Sequence, residues 1–379
     1  MAQTKNIKKL RVLQIVPQIK FGGVERGVID IFRYLNRLNI ENFIFCETVN
    51  KDFISKEEKK FVFTSNSIKF KNITHCFQLN KILENIIKIK KINLVHISSR
   101  APAFVFLKQI KSNLNVRYIT SFHNPYSGRF LKKYYNSFLL KSDLVICNSN
   151  FTKKFVLNNF NKELYRIKSI PRGIDTKYFN PSFFKKKFKS DKKDLLNIKS
   201  NEIVISIPSR FSKWKGHNEL IDYFNKQKTK LINNKIKIIF FVDNNELHRK
   251  KLLSLCSNEL NKKIIILNLT HDIREIYAIS DLIISSSIKP EGFGRTISEA
   301  LSMNCIPIGV NHGGVREQLY NFDKKLLYKM SDPKSFNRTL DYALSLLNNS
   351  NFDGRSYVNK KYSLDKMLLA TINSYLYEE

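Results

Sequence analysis

The chain of 379 residues carries 66 Lys plus Arg against 32 Asp plus Glu, a formal net charge of +34, and 42% of its residues are hydrophobic. This hydrophobic content excludes wholesale disorder, the length predicts two domains of roughly 150 to 200 residues rather than one core, and no apolar run approaches the ~20 residues of a membrane span. The charge is uneven: residues 1–180 hold 33 basic against 11 acidic side chains, net +22, and residues 181–379 hold 33 against 21, net +12.

Basic surfaces attract nucleic acid, anionic lipid head groups or phosphorylated substrates, and a Lys-, Asn- and Ile-rich coding bias raises the charge without any partner. No zinc-finger spacing, RNP-like aromatic strand or arginine-rich tail accompanies the charge, so nucleic acid is not expected as a partner. Five scattered cysteines (Cys46, Cys76, Cys147, Cys256 and Cys305) without a C-x-x-C suit a reducing compartment and predict a cytoplasmic protein. Lys8 to Pro17 imitates a signal peptide only loosely, because Arg11 and Gln14 interrupt its apolar run.

In chain order, Arg11 to Pro17 reads as a buried strand followed by the Gly22-Gly23 turn and a helix with Val28, Ile31, Phe32 and Leu35 at helical spacing. A glycine turn at a helix start tolerates anions, because unpaired N–H groups and the positive end of the helix dipole face outward. Short strands at Phe43 to Cys46 and Lys60 to Thr64, a helix over Lys81 to Lys90 and a strand at Leu94 to Ile97 follow. Tyr118 to Asn124 forms a further strand, and a histidine at its end, His123, lies where open α/β sheets bind ligands. Gly128 to Lys141 places Leu131, Tyr134, Tyr135 and Phe138 on one helical face ringed by Arg129, Lys132, Lys133 and Lys141, a pattern that fits an interfacial helix and, as the more ordinary case, one packed on its own sheet. Leu144 to Cys147 is a strand. The charge-dense residues 179–200 read as a linker.

Ile203 to Pro208 opens a second α/β domain, with Arg210 and Lys215 in the loop that follows. Strands at Ile236 to Val242 and Ile264 to Leu267 precede the most informative stretch, Asp281 to Leu319. There a buried strand (Leu282 to Ser286) leads into Glu291-Gly292-Phe293-Gly294, a helix from Arg295 to about Met303, a strand (Ile306 to Val310) and the Gly313-Gly314 turn. Glycine at the helix start admits phosphate, and two carboxylates beside a phosphate, Glu291 and Glu299, suit neutral hydroxyls such as those of sugars and ribose. Helices at Pro333 to Leu347 and Leu364 to Leu376 complete the chain. Seven histidines make no metal-ligand spacing, and no metal site is expected.

The segment E-G-F-G-x-x-x-x-E-A with G-G-x-x-E behind it resembles the donor-site signature of the family-4 retaining glycosyltransferases of GT-B fold. Other segments resemble it in order: G-G-V-E at Gly22, I-P-R-G-I-D at Ile170 with Arg172 where asparagine is usual, and S-R-F-S-K-W-K-G at Ser209, where the family has G-R-x-x-x-x-K-G. The family's G-x-G turn is missing at Asp243 to Glu246. The phrases G-G-V-E-R-G and V-H-x-x-S-R-A-P-A are similar to those of bacterial enzymes that build lipopolysaccharide core.

The resemblance implies an α/β fold of two Rossmann-like domains facing across a cleft: residues 1–178 for the acceptor, a linker at 179–200, residues 201–357 for the donor, and a C-terminal helix, 358–379, crossing back. It implies transfer of a hexosyl unit from a nucleoside-diphosphate sugar to a lipopolysaccharide-core or other lipid-linked glycan, with retention and without a metal or other cofactor. His123, Arg210, Lys215 and Glu291 would act on the reacting groups. Gly22, Gly23, Gly292, Phe293, Gly294, Arg295 and Glu299 would join Arg210, Lys215 and Glu291 around the donor. Arg100 is a candidate acceptor-phosphate ligand or a plain surface arginine. A peripheral position on the inner face of an anionic membrane is expected with a lipid-linked acceptor. The alternatives are a soluble acceptor, a glycoside hydrolase with paired carboxylates, and a non-catalytic basic protein that binds RNA or membrane.

Overall fold

The computed structural model describes residues 9–20, 22–50, 52–65, 73–107, 115–126, 130–160, 166–268, 272–348 and 351–376. Gly128, Arg129 and the Leu131 side chain of the predicted basic helix lie outside them. The chain forms two compact units, residues 1–172 with 365–379, and residues 173–364.

Unit 1 is built on a parallel seven-stranded sheet of order β5-β3-β1-β6-β7-β8-β9. These strands are β1 (Arg11–Ile15), β3 (Glu41–Cys46), β5 (Val62–Thr64), β6 (Leu94–Ile97), β7 (Arg117–Phe122), β8 (Leu144–Cys147) and β9 (Ile167–Ser169). The short β2 (Gln18–Ile19) and β4 (Thr48–Val49) pair separately. Unit 2 carries a parallel six-stranded sheet of order β12-β11-β10-β13-β14-β15. Its strands are β10 (Ile203–Arg210), β11 (Ile236–Val242), β12 (Ile264–Asn268), β13 (Leu282–Ser285), β14 (Ile306–Val310) and β15 (Leu327–Tyr328). In each sheet the first strand sits inside, with the second and third to one side and the later ones to the other, which is Rossmann order. The strands are nearly continuous apolar runs because helices cover both faces: in β11, IKIIFFV, every residue but Lys237 is buried.

The unit boundaries differ from those read in the sequence. Unit 1 ends at Arg172 rather than 178, and residues 179–200 belong to unit 2 rather than forming a linker. Their charge density comes from a surface helix, Lys186–Leu195, tied to unit 2 by Lys192 Nζ 2.7 Å from Glu275 Oε2. Residues 358–364 also belong to unit 2, where Ile174 N donates to Tyr362 O (2.8 Å) and Leu364 N to Ile174 O (2.9 Å). The last helix, Leu364–Leu376, has all but its first residue in unit 1. There Arg117 Nη1 donates to the carbonyls of Ser374 and Tyr375, each at 3.0 Å, satisfying the helix's C-terminal acceptors with a cation.

Candidate active site

Strand order reverses between β1 and β6 in unit 1 and between β10 and β13 in unit 2. Loops leaving the carboxyl ends of the strands diverge at such a point and open a crevice where ligands bind. In unit 2 Arg210 is the last residue of β10, and the loops after β10 and β13 carry Lys215 and Glu291.

Arg210 ends β10 just past a register shift against β11 and is exposed. Lys215 closes a short 3-10 turn, Lys213–Lys215, and Gly216 follows it with φ 71°. A Cβ at Gly216 would overlap the Ser286 carbonyl oxygen, so glycine lets this turn close on the end of β13. Ser286 Oγ donates to Lys215 O at 2.8 Å and Ile288 N to Trp214 O at 2.8 Å, stitching the two loops together. The consequence is a pair: Lys215 Nζ lies 2.6 Å from Glu291 Oε1, with the side chains only 20% and 17% exposed. The Ser287 hydroxyl donates to the same carboxylate oxygen. The Lys215 ammonium also sits 4.2 Å from the centre of the Trp214 ring.

Beyond Glu291 the chain enters the helix Arg295–Ser302 through Gly294, whose φ of 83° is the left-handed region and whose side no capping side chain occupies. The N-cap side therefore takes up none of the first-turn N–H groups, of which Ile297 N donates to Gly294 O at 3.2 Å, and uncapped N–H groups at a helix start are what an anion requires. Phe293, expected among the donor contacts, turns its ring into the core at 4% exposure, edge-on to Tyr362 at 5.4 Å. Glu299 is held by Arg295 Nε at 3.0 Å and by the Tyr277 hydroxyl, which donates at 3.1 Å. Arg295 thus serves its own helix neighbour four residues on.

Two residues that the sequence reading passed over complete this region. Gln318 is wholly buried, and its Nε2 donates to Phe293 O (2.5 Å) and Gly294 O (3.1 Å) while Ser298 donates to its Oε1. It clamps the glycine loop from the helix Gly313–Asp323. The available signal was a polar residue at an apolar spacing, between Val315 and Leu319. His312 precedes that helix with both ring nitrogens buried and unpartnered. Burial lowers its pKa below the ordinary value, against the opposing pull of the Glu291 carboxylate.

In unit 1, His123 stands one residue past β7 at 5% exposure. Its carbonyl accepts from Asn148 Nδ2 at 2.7 Å, its Nδ1 lies 3.4 Å from Arg172 Nη2, and its buried Nε2 has no partner. Burial, then the Arg172 charge and His96, push its pKa well below 6.5. Beside it His96 is fixed by the Tyr375 hydroxyl at Nδ1 (2.6 Å) and Ser121 Oγ at Nε2 (2.7 Å), and burial followed by Arg172 takes its pKa down to about 3. Both rings are therefore neutral at pH 7.

Gly22 and Gly23 are exposed at the start of the helix Gly23–Arg37, but a Cβ on Gly22 would overlap the Glu25 carboxylate, which folds back over this turn. Arg100 begins a helix, Arg100–Leu107. Its guanidinium lies 3.9 Å from the centre of the Tyr126 ring and donates to Asn136 Oδ1 at 3.1 Å, so it is a packed, half-buried side chain. The basic helix shows Lys132, Lys133 and Tyr134 to solvent while Phe138, just past it, is buried. Among the described residues no group of three or more His, Cys, Asp or Glu side chains could hold a metal, and no helix is long and apolar enough to cross a membrane.

Two family models match the chain, each within one half of it: Glycosyltransferase Family 4 over residues 21–178 and Glycosyl transferases group 1 over residues 188–352. No curated protein sequence matches it. Among solved structures, a glycosyltransferase from Rickettsia africae aligns at 29% identity over 97% of each chain with a TM-score of 0.82. Anabaena Alr3699/HepE, solved in complex with UDP and glucose, aligns at 17% identity over 97% of this chain and 99% of that one, TM-score 0.77. WaaG, a glycosyltransferase involved in lipopolysaccharide biosynthesis, aligns at 13% identity over 95% and 98%, TM-score 0.71. With two Rossmann-like parallel sheets and matching models in both halves, the chain is a glycosyltransferase of GT-B fold.

Proposed function

We propose that the chain moves a hexosyl unit from a nucleoside-diphosphate sugar to a hydroxyl of a lipopolysaccharide-core or other lipid-linked glycan, with retention and without a metal. The observation that carries this reading is the Lys215–Glu291 pair between the loops of β10 and β13, next to the uncapped helix start at Gly294. The departing diphosphate gains negative charge, and Arg210, Lys215 and the N–H groups of that helix start would stabilise it, the task a divalent cation performs elsewhere. When the diphosphate takes Lys215, Glu291 becomes available to the sugar hydroxyls, still steadied by Ser287. Glu299 would accept from the ribose with lone pairs that Arg295 and Tyr277 leave over, and the neutral His123 would meet a sugar hydroxyl. HepE's UDP and glucose and WaaG's part in lipopolysaccharide biosynthesis support the donor and the acceptor class. The excess of positive charge in residues 1–180 suits a peripheral position at the inner face of an anionic membrane.

The test is a thermal-shift screen with UDP-, GDP- and ADP-sugars in excess EDTA, followed by transfer assays on lipid-linked and soluble acceptors. A bound donor at 100 times its dissociation constant adds about 2.7 kcal/mol of stability. Stabilisation by one nucleotide series and transfer to the lipid-linked acceptor in EDTA are expected. Activity that vanishes with chelator and returns with manganese overturns the metal-free reading, and transfer to soluble acceptors alone overturns the acceptor.

A further inference from the structure

We infer that Arg172 is a positioning residue that fixes His123 as a hydrogen-bond donor at Nε2, toward a ligand hydroxyl. A guanidinium has five donors and no acceptor, so the 3.4 Å contact from Arg172 Nη2 requires an unprotonated Nδ1. The ring, neutral at pH 7, carries a single proton, which this contact assigns to Nε2. That nitrogen is buried and unpartnered, and the ring lines a small cavity with Ser121, Asn148 and Arg172. A buried N–H left without a partner is costly, and an oxygen that enters here to accept from it removes the cost.

The surroundings agree. His96, the other titratable group against this cavity, has both nitrogens committed to Tyr375 and Ser121, so it does not compete for Nδ1 of His123. The Ser98 backbone carbonyl is the one acceptor beside the ring that favours an added proton on it. Space for the arginine comes from the helix Gly23–Arg37: a Cβ on Gly27 would overlap Arg172 Nη1. Glycine is unfavourable in a helix interior, and here its bare backbone is the bed on which the guanidinium lies. A ligand hydroxyl that meets His123 is thus met by a donor and offers its oxygen lone pair.

The identity of that hydroxyl as a sugar's rests on the function proposed above, but the tautomer does not. In the full chain labelled with 15N-histidine and assigned by His123→Gln, long-range proton–nitrogen correlation is expected to show His123 protonated at Nε2 without any substrate. Arg172→Met is expected to redistribute the proton toward Nδ1, and Arg172→Lys to preserve the Nε2–H form. Gly27→Ala keeps the arginine but displaces it, and is expected to act like Arg172→Met. Turnover of Arg172→Met should fall roughly ten- to hundred-fold with little change in donor KM, and Arg172→Lys should recover part of it. A wild-type ring protonated at Nδ1, an Nε2–H form that persists in Arg172→Met, or unchanged turnover in that variant overturns the inference. The expected tautomers in a protein that transfers no sugar would instead overturn the function and leave the tautomer assignment standing.

Discussion

Two glycine turns of this molecule, at Gly22 and at Gly294, look alike in sequence and differ in what they admit. Gly22 opens a helix beneath the folded-back carboxylate of Glu25. Gly294 opens one beside a carboxylate, Glu291, that Lys215 already neutralises at 2.6 Å. An unneutralised carboxylate about 4 Å from a phosphate costs roughly 1 kcal/mol in water and about 4 at an intermediate dielectric, more than a helix start returns. Both units thus start a helix at a glycine, and on the function proposed above Lys215, with Arg210, is what would suit the second turn to a diphosphate.

The largest effect should come from removing that lysine. Lys215→Met leaves Glu291 uncompensated and strips a cation from the leaving group, and turnover is expected to fall by about a hundred- to a thousand-fold. Full activity in this variant would erase the distinction between the turns. The two glutamates of unit 2 come next, read by steady-state kinetics with nucleotide affinity measured by calorimetry. Glu291→Gln should lower turnover roughly ten- to hundred-fold with nucleotide affinity kept, whereas Glu299→Gln should mainly raise the donor KM. Equal nucleotide affinity in wild type and Glu299→Gln would remove its ribose role.

Stability separates the turns more gently. Gly294→Ala forces a left-handed residue and brings a Cβ to 2.6 Å from Val315 Cγ2, for an expected loss of about 1–3 kcal/mol by urea unfolding. Gly22 has extended backbone, φ −162°, and only the flexible Glu25 side chain to displace, so Gly22→Ala should stay within about 0.5 kcal/mol. Similar losses at both positions would contradict the described geometry.

Acid gives the smallest contrast. Buried histidines with folded pKa values below 6.5, at about 3 for His96 and about 4 for His217, bind fewer protons folded than unfolded. Stability is then complete above about pH 6.5 and declines as pH falls toward the folded values. Unit 1 holds His96 and His123, while unit 2 holds His217 and the half-buried His312. The single tryptophan, Trp214, reports unit 2 alone. Between pH 7 and 5 the overall circular-dichroism melting temperature should drop further than the Trp214 fluorescence transition. The reverse order would move the greater acid sensitivity to unit 2.

Most of the architecture was legible in the sequence because parallel strands buried on both faces are uninterrupted apolar runs: Leu94 to Ile97, Leu144 to Cys147, Ile236 to Val242 and Ile306 to Val310 all lie where the pattern placed them. The helix Leu364–Leu376 was equally plain. What misled was charge, since a lysine-rich surface helix such as Lys186–Leu195 has no apolar stripe and imitates a linker. In the candidate site, the loops bearing Arg210, Lys215 and Glu291 were marked by glycines with a local reason to be there. Gln318 and the Arg172–His123 contact were not, because each depends on partners that only the tertiary fold brings near, at separations of 25 and 49 residues. The Phe293 ring faced inward for the same kind of reason: its destination, Tyr362, is far along the chain.

The helix Leu364–Leu376 has a consequence for the order in which the protein is made. Unit 1 begins the chain, yet the tyrosine that holds His96 and the carbonyls that hold Arg117 come from its last residues. At the usual pace of synthesis all of unit 2 must be translated first, a delay of about 10 to 40 s. During that interval the N-terminal sheet lacks the Tyr375 hydroxyl on His96 and the Ser374 and Tyr375 carbonyls on Arg117, while unit 2, residues 173–364, is one unbroken stretch of chain. The half made first is finished last.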